Sequence, residues 1–516
     1  MPKKNILWVD DEIELLKPHI IFLEKRGYTV STATNADDAM DMLERSPCDL
    51  IFLDENMPGL RGLEVIQHFK RIAPTVPIVM VTKSEEEDIM DRAVGAKIAD
   101  YLIKPVNPSQ MLISLKKHLH EGDLVQAGTT SAYESDYRNV ANLVNTASTP
   151  EDWVELSIQL SEWRLSLLDL NNREMMEMHD QQQLAANAAF EKYIRRNYLR
   201  WFAPNGEHPC LSPNVLRDRV FPHIDAGESV LLLVIDNLRF DQWRILRELM
   251  APQWKVDREG TYYSILPTVT QYARNAVFAG LMPLEISELY PDLWVAENEP
   301  EGKNAHEEEL LRRHIQRLGK SYKMAFYKGA NLGGTPLKDG NYMELLRNDL
   351  TVLVYNFVDM LSHSRHDMQM VRQIASDVHG YLSLTESWFK HSDLYQFLQK
   401  VAQYPVRLII TTDHGSIQVK KPLRVVGHKD TTTNLRYKMG KSLDYNPREV
   451  FEVIRPQEAH LPQSNVSSRF IFAPQNGYFV YPNNYNQYVN MYRDSFQHGG
   501  ISLEEMIVPI VSLRPH

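Results

Sequence analysis

In the first 120 residues, short apolar runs end repeatedly in a group that can bind a cation or a phosphate. Ile6-Leu-Trp-Val precedes Asp10 and Asp11, Leu50-Ile-Phe-Leu precedes Asp54, Ile78-Val-Met-Val precedes Thr82, and Tyr101-Leu-Ile precedes Lys104-Pro105. Amphipathic stretches of helical length separate these runs, and Val30-Ser-Thr-Ala reads as one more short strand. Runs that are apolar along their whole length are buried on both faces, and their alternation with helices predicts a parallel sheet covered by helices. Ligands of such sheets sit beyond the carboxyl ends of the strands, so Asp10, Asp11, Asp54, Thr82 and Lys104 should share one rim. Three converging carboxylates suit a hard divalent cation such as Mg²⁺, while a hydroxyl and an ammonium beside Asp54 suit the oxygens of an acyl phosphate. Singly, an acid at a strand end is more economically a helix cap or a solvated turn. Five in order on one scaffold carry the reading.

On those residues, 1–120 resemble the CheY-like receiver family, a doubly wound α/β fold. The resemblance implies Asp54 as phosphoacceptor, Asp10, Asp11 and Asp54 as the Mg²⁺ site, and Thr82, Tyr101 and Lys104 as switch hydroxyl, switch aromatic and phosphate partner. It also implies a sensor histidine kinase as phosphodonor. Met57-Pro58-Gly59 and Gly62 match the family's loop after the phosphoacceptor, whereas Lys83 stands where the family has a small residue.

At 516 residues the chain is long enough for about two to four folding units. No uninterrupted apolar run approaches the roughly 20 residues of a membrane span, and the apolar run at the start is cut at Asp10, so neither export nor a span is expected. Two distant cysteines, Cys48 and Cys210, fit a reducing compartment, and the cytoplasm is the expected location. A net charge of −11, with neither a helix-turn-helix nor a strongly basic domain, argues against sequence-specific DNA binding. Between 121 and 205 the strand signals stop. Thr149 reads as an N-cap with Pro150 at the first helical position, and Trp153, Leu156, Leu160, Trp163, Leu167 and Leu170 form one apolar stripe. A second helix is expected over 181–202, with Phe190, Ile194 and Trp201 on one side, so this stretch reads as a helical bundle linker. Strand-like runs return at 230–235, 350–358, 406–410, 470–472 and 507–511, predicting a second α/β domain over 206–516.

Several of these runs also end in metal-ligand types: Asp236, Asp359 with His363 four residues on, and Asp413-His414. His498, in Gln-His-Gly-Gly, precedes the last run. Thr270 opens an expected helix over 271–279, where the helix dipole favours its alkoxide. Three Asp, three His and one Thr suffice for two adjacent ions, and the imidazoles favour zinc over magnesium. Two such ions, typically about 3.5–4 Å apart, suit in-line displacement at phosphorus. The order Asp, Thr, Asp-x₃-His, Asp-His, His resembles the alkaline phosphatase superfamily, particularly its PglZ branch, over residues 220–516. By that resemblance Asp236, Thr270, Asp413 and His414 bind one zinc, Asp359, His363 and His498 bind the other, and Thr270 is the nucleophile. Arg274 is a candidate phosphate clamp, and mono- and diesterase activity both stay open. Between Lys420 and Lys441 seven basic residues face one acid, Asp430. Lys429, Arg436 and Lys438 are therefore expected to bring positive potential to a phosphate-bearing substrate, with Tyr437 stacking on a base.

The order of receiver, helical linker and PglZ-like domain resembles the PorX-like family of response regulators associated with type IX secretion. That resemblance implies a phosphodiesterase acting on nucleotides or oligonucleotides, a phosphorylation-dependent homodimer, and contacts with a sigma factor or secretion components. An alternative reading is a phosphorylation-dependent interaction protein in which zinc is structural.

Overall fold

The first five apolar runs form β1 (Asn5–Val9), β2 (Thr29–Ala33), β3 (Leu50–Asp54), β4 (Ile78–Thr82) and β5 (Asp100–Ile103). They make one parallel sheet in the order β2-β1-β3-β4-β5. Two apolar layers cover its faces, one containing Leu53, Ile66 and Phe69 and the other containing Trp8, Phe52 and Leu115. Full burial of β3 and β4 is why both read as continuous apolar runs. The register sets Asp54 opposite Val81 and Thr82 opposite Ile103, which brings Asp54, Thr82 and Lys104 to the same edge of the sheet.

This computed structural model describes residues 4–55, 57, 62–82, 98–119, 121–170, 172–204, 206–297, 299, 302–329, 342–356, 377–428, 431–463, 465 and 467–516. The chain divides into two units, residues 1–132 and 133–516. Among the described residues, no helix is long and apolar enough to cross a membrane.

In the second unit, Thr149 caps the helix Pro150–Asp169 as expected. Its side chain accepts from the Asp152 amide at 3.2 Å, and Asp152 accepts from the Thr149 amide at 2.9 Å. The next helix begins earlier than expected, at Arg173 behind an Asn172 cap, and gives way after Asn197 to a 3₁₀ turn over Tyr198–Phe202. The polar stretch Gln181-Gln-Gln hides this helix from apolar periodicity, but straight-chain residues sustain it. Trp153, Leu160, Phe190, Ile194 and Trp201 join one core with Tyr263, Leu266, Tyr272 and Met506. The linker helices are thus packed directly on the segments that carry the second site.

That site rests on a six-stranded sheet of β6 (Val230–Ile235), β7 (Trp254–Tyr263), β8 (Met324–Gly329), β9 (Leu350–Tyr355), β10 (Arg407–Thr411) and β11 (Ile507–Pro515), in the order β7-β11-β10-β6-β9-β8. The four strands β10, β6, β9 and β8 are parallel, whereas β11 runs antiparallel to both its neighbours. Neither β7 nor β8 was legible as a strand. Both lie at sheet edges, and β7, Trp-Lys-Val-Asp-Arg-Glu-Gly-Thr-Tyr-Tyr, has the polar composition that a half-solvated edge tolerates.

Two buried histidines make this unit acid-sensitive. Burial pushes His179 down to about 3, with Arg164 adding to it, and pushes His314 down to about 4. Their rings are held by backbone carbonyls, His179 Nε2 to Leu160 at 2.8 Å and His314 Nδ1 to Phe278 at 3.1 Å. Both folded values lie below the unfolded one, so this stability is present above pH 6.5 and is lost as the pH falls toward 4 and 3. Each histidine is expected to cost about 2 kcal/mol between pH 7 and pH 5. Urea unfolding at the two pH values checks this: His179→Gln, which keeps a donor without titrating, should lose less than wild type over that interval. An equal loss would remove His179 as a cause.

Candidate functional site

At the rim of the receiver sheet, Asp10 and Asp54 are buried and Asp11 is exposed, and one oxygen from each lies within 4.8 Å of the others. Lys104 Nζ stands 2.8 Å from Asp10 and 3.1 Å from Asp54. Burial works to lower the Lys104 pKa, but these two carboxylates outweigh it and hold the ammonium above its ordinary value. The Thr82 hydroxyl donates to Glu55 at 2.6 Å, and Tyr101 on the edge strand is 42% exposed. Glu55 was missed by sequence reasoning, although it follows Asp54 directly and its burial beside a hydroxyl gives it a partner. Pro58, Gly59 and Lys83 lie outside the described residues.

In the second unit, β6 ends at Ile235 and β10 at Thr411, so Asp236 and Asp413-His414 emerge at neighbouring strand ends. Ligand atoms of Asp236, Asp413 and His414 lie within 4.8 Å of one another, and all three side chains are buried. The helix Thr270–Ala279 begins beside them. Thr270 Oγ1 is 3.2 Å from His414 Nε2 and 3.5 Å from Asp236. His414 Nδ1 donates to the Gly415 carbonyl at 3.1 Å, and His498 Nδ1 donates to the Thr268 carbonyl at 3.1 Å. In each ring the backbone acceptor at Nδ1 leaves Nε2 as the nitrogen a metal would take, the pattern of a ligating histidine held by a carbonyl. The two rings stack with centroids 4.2 Å apart.

This donor set fits a metal ion: two carboxylates, an imidazole and a hydroxyl converge where a buried cation would be compensated. Asp359 and His363, expected to complete a second ion site with His498, lie outside the described residues.

Arg274, expected to clamp phosphate, is buried and engaged by protein carboxylates. Its guanidinium meets Glu307 at 2.6 Å, Asp236 at 2.7 Å and Asp413 at 3.6 Å. Burial works to lower its pKa, and the three carboxylates outweigh that and raise it. The basic segment, expected to face substrate, instead turns three residues inward. Arg436 is fully buried and binds Glu505 at 2.5 Å as well as the Gly477 carbonyl. The Tyr437 hydroxyl donates to Glu297, and its ring stacks with Phe470. Lys438 donates to the Thr432 carbonyl at 2.8 Å, and burial pushes it down to about 7. The physical reason is the pairing of Tyr437–Gly440 with Arg469–Phe472, which buries this short strand completely. Lys429 lies outside the described residues.

Three supporting residues had no legible signal. Thr268 accepts from the Gly499 amide at 2.9 Å and donates to the Gly500 carbonyl at 3.1 Å, fastening the loop of His498. Glu307 pairs with Arg274 and with Lys328, the latter at 2.7 Å. Glu505 accepts from the Gly500 amide at 2.9 Å, and its own carbonyl accepts from the Gly415 amide at 3.1 Å.

Three family models match successive stretches of the chain. A response regulator receiver domain matches residues 6–116, a PorX response regulator linker domain residues 123–202, and a BREX system PglZ alkaline phosphatase-like domain residues 215–513. The chain is 39% identical over 115 residues to the alginate biosynthesis transcriptional regulatory protein AlgB of Pseudomonas putida, covering 22% of this chain and 26% of AlgB. It is 33% identical over 115 residues to the phosphate regulon transcriptional regulatory protein PhoB of Escherichia coli, covering 22% of this chain and 50% of PhoB. The chain therefore spans only a quarter to a half of the length of these relatives. A solved CheY-like response regulator receiver domain from Methanospirillum hungatei is 29% identical, covering 23% of this chain and 95% of that one, with a TM-score of 0.22. A receiver implies a cognate histidine kinase, and the buried Asp/Asp/His cluster of the output domain points to a metal-dependent hydrolase. The PglZ match covers more than half of the chain, and with a receiver and a PorX-type linker before it the protein belongs to the PglZ alkaline phosphatase-like family as a PorX-like response regulator.

Proposed function

We propose that the second unit is a two-zinc phosphodiesterase acting on nucleotides or oligonucleotides, and that phosphorylation of Asp54 controls it. The observation that carries the reading is Thr270 at the first position of a ten-residue helix, its hydroxyl 3.2 Å from His414 Nε2 and 3.5 Å from Asp236. The helix N-terminus stabilises negative charge on Oγ1. Metal ions bound here supply Lewis acidity that favours the alkoxide and neutralises the phosphate. Thr270 Oγ1 gives up its proton to solvent and attacks phosphorus, the bond to the leaving oxygen breaks, and that oxygen takes a proton from solvent. Water then attacks the threonyl phosphate, releases the product phosphate ester and returns the proton to Thr270.

The test is hydrolysis of an aryl phosphodiester by zinc-loaded protein. Thr270→Ala is expected to lower kcat by roughly a thousandfold or more with zinc content retained. An unchanged rate would reject Thr270 as the nucleophile.

For the receiver, we propose Asp54 as phosphoacceptor with Mg²⁺ at Asp10, Asp11 and Asp54, Thr82 and Tyr101 as the switch, and a homodimer on phosphorylation. The linker is the proposed relay, supported by its shared core with the segments bearing Thr270 and Met506. The resemblance to PorX-like regulators supports a role in type IX secretion through a sigma factor or secretion components. That same resemblance favours a second reading, in which the phosphorylated protein acts by binding. Retained regulation in a Thr270→Ala strain would favour it over catalysis.

A further inference from the structure

One cavity of about 740 Å³ lies beside the nucleophile helix and plays no part in the chemistry above. Its volume is that of a small-molecule site, typically about 300–1,000 Å³. Gln271 and Tyr272, the two residues after Thr270, line it, together with Trp294, Glu297, Thr431 and Lys441. Gln271 Nε2 donates to the Val295 carbonyl at 2.9 Å, tying the start of the helix to the segment that carries Trp294 and Glu297. On the other side the Tyr437 side chain connects the cavity lining to the loop of His498. Tyr437 packs so closely on Gly499, the residue after His498, that a Cβ there would lie 3.0 Å from its ring, and its hydroxyl donates to Glu297. The cavity therefore lies between the first turn of the Thr270 helix and a side chain that packs on the loop of His498.

The lining selects a kind of ligand. Trp294 is half-buried, meets Tyr272 edge-on at 5.6 Å, and offers a flat apolar wall. Glu297 is a carboxylate with acceptor capacity for about four hydrogen bonds. Tyr437 and Tyr272 account for two, which leaves acceptor capacity toward the cavity. Burial raises the Glu297 pKa, a cost that hydrogen bonds from a ligand would offset. Lys441, exposed at the edge, suits a phosphate. A flat wall, a half-buried acceptor and a cation at the rim describe a subsite for a planar heterocycle carrying N–H donors and attached to a phosphate. Tyr437, named from sequence as the stacking residue, instead holds Glu297 in place, and Trp294 presents the stacking face.

We propose that this cavity is the subsite for the nucleoside flanking the scissile phosphate, with a base whose N–H edge, as in guanine, donates to Glu297 while its face packs on Trp294. The inference rests on the phosphoesterase reading. Two esters with the same leaving group separate the two ideas: guanosine 5′-(4-nitrophenyl phosphate) and methyl 4-nitrophenyl phosphate, each given to the full-length, zinc-loaded protein. Wild type should prefer the guanosyl ester in kcat/KM by at least tenfold. Trp294→Ala and Glu297→Gln should bring that ratio toward one through KM, and Trp294→Phe, which keeps an aromatic face, should retain most of it. A general loss of folded enzyme lowers both rates together and leaves the ratio alone, so a ratio unmoved in all three variants overturns the proposal. No preference in wild type overturns it as well. Hydrolysis of neither ester by wild type instead defeats the phosphoesterase reading, and this inference with it.

Discussion

Gly415→Ala is expected to lower kcat/KM by about a hundredfold while leaving the helical content unchanged, because it displaces the turn from which both described site histidines hang. A Cβ at Gly415 would lie 2.0 Å from the Glu504 carbonyl oxygen, a backbone atom that cannot step aside cheaply. The Gly415 carbonyl holds His414 Nδ1, and the Gly415 amide donates to the Glu505 carbonyl. The buried Glu505 carboxylate in turn accepts from the Gly500 amide at 2.9 Å, two residues after His498, and from Ser502 Oγ at 2.6 Å. The linker helix grips the same turn: Asn187 accepts from the Leu503 amide at 2.8 Å and donates to Glu504 at 3.0 Å. A shift of about 1 Å in such a frame costs on the order of 10²-fold in rate. Steady-state kinetics with zinc stoichiometry and circular dichroism measure the effect. Full activity in Gly415→Ala would mean that the turn slides freely and does not position His414.

Arg274→Met is expected to destabilise the metal-free protein by about 3–5 kcal/mol, the cost of leaving buried charge without its partner. Asp236 and Asp413 would lose their shared guanidinium, whereas Glu307 keeps Lys328 at 2.7 Å. A bound cation would compensate the same two aspartates, so the destabilisation should shrink in zinc-loaded protein. Urea unfolding with and without chelator reads the difference. Equal destabilisation in both states would show that Arg274 and the ion do not share the two aspartates.

The strand-end residues were legible because two signals coincide there, an apolar run of strand length and an abrupt acid or imidazole. Asp54, Asp236 and Asp413-His414 show both, and the structure gathers them at the rims of two sheets. Thr149 with Pro150 was legible for the same reason, since a cap and a helix start are local events. The Gly residues in Asp-His-Gly and His-Gly-Gly were visible, but their cause was not: Gly415 faces the Glu504 carbonyl, and at Gly500 a Cβ would lie 2.3 Å from the Ala473 carbonyl. Glu307, Thr268 and Glu505 carry no periodic or positional mark, because each gains its role from a partner far along the chain. The basic run from Lys420 to Lys441 shows the opposite failure. Its composition pointed to an open, positive surface, yet β pairing buried Arg436 and Lys438 and supplied Arg436 with Glu505.

What the sequence by itself determined is the order of modules and the chemistry at the strand ends, because apolar periodicity, caps and ligand types are properties of neighbouring residues. The tertiary structure alone decided which charges meet: Arg274 with three carboxylates, Glu505 with the turn of His414 and His498, and Tyr437 with Glu297 beside a cavity. Apart from Glu505 with Gly500, those pairings join residues from tens of positions to more than a hundred apart. They depend on sheet order and on what burial demands of each charge, neither of which is written in any local stretch of the chain.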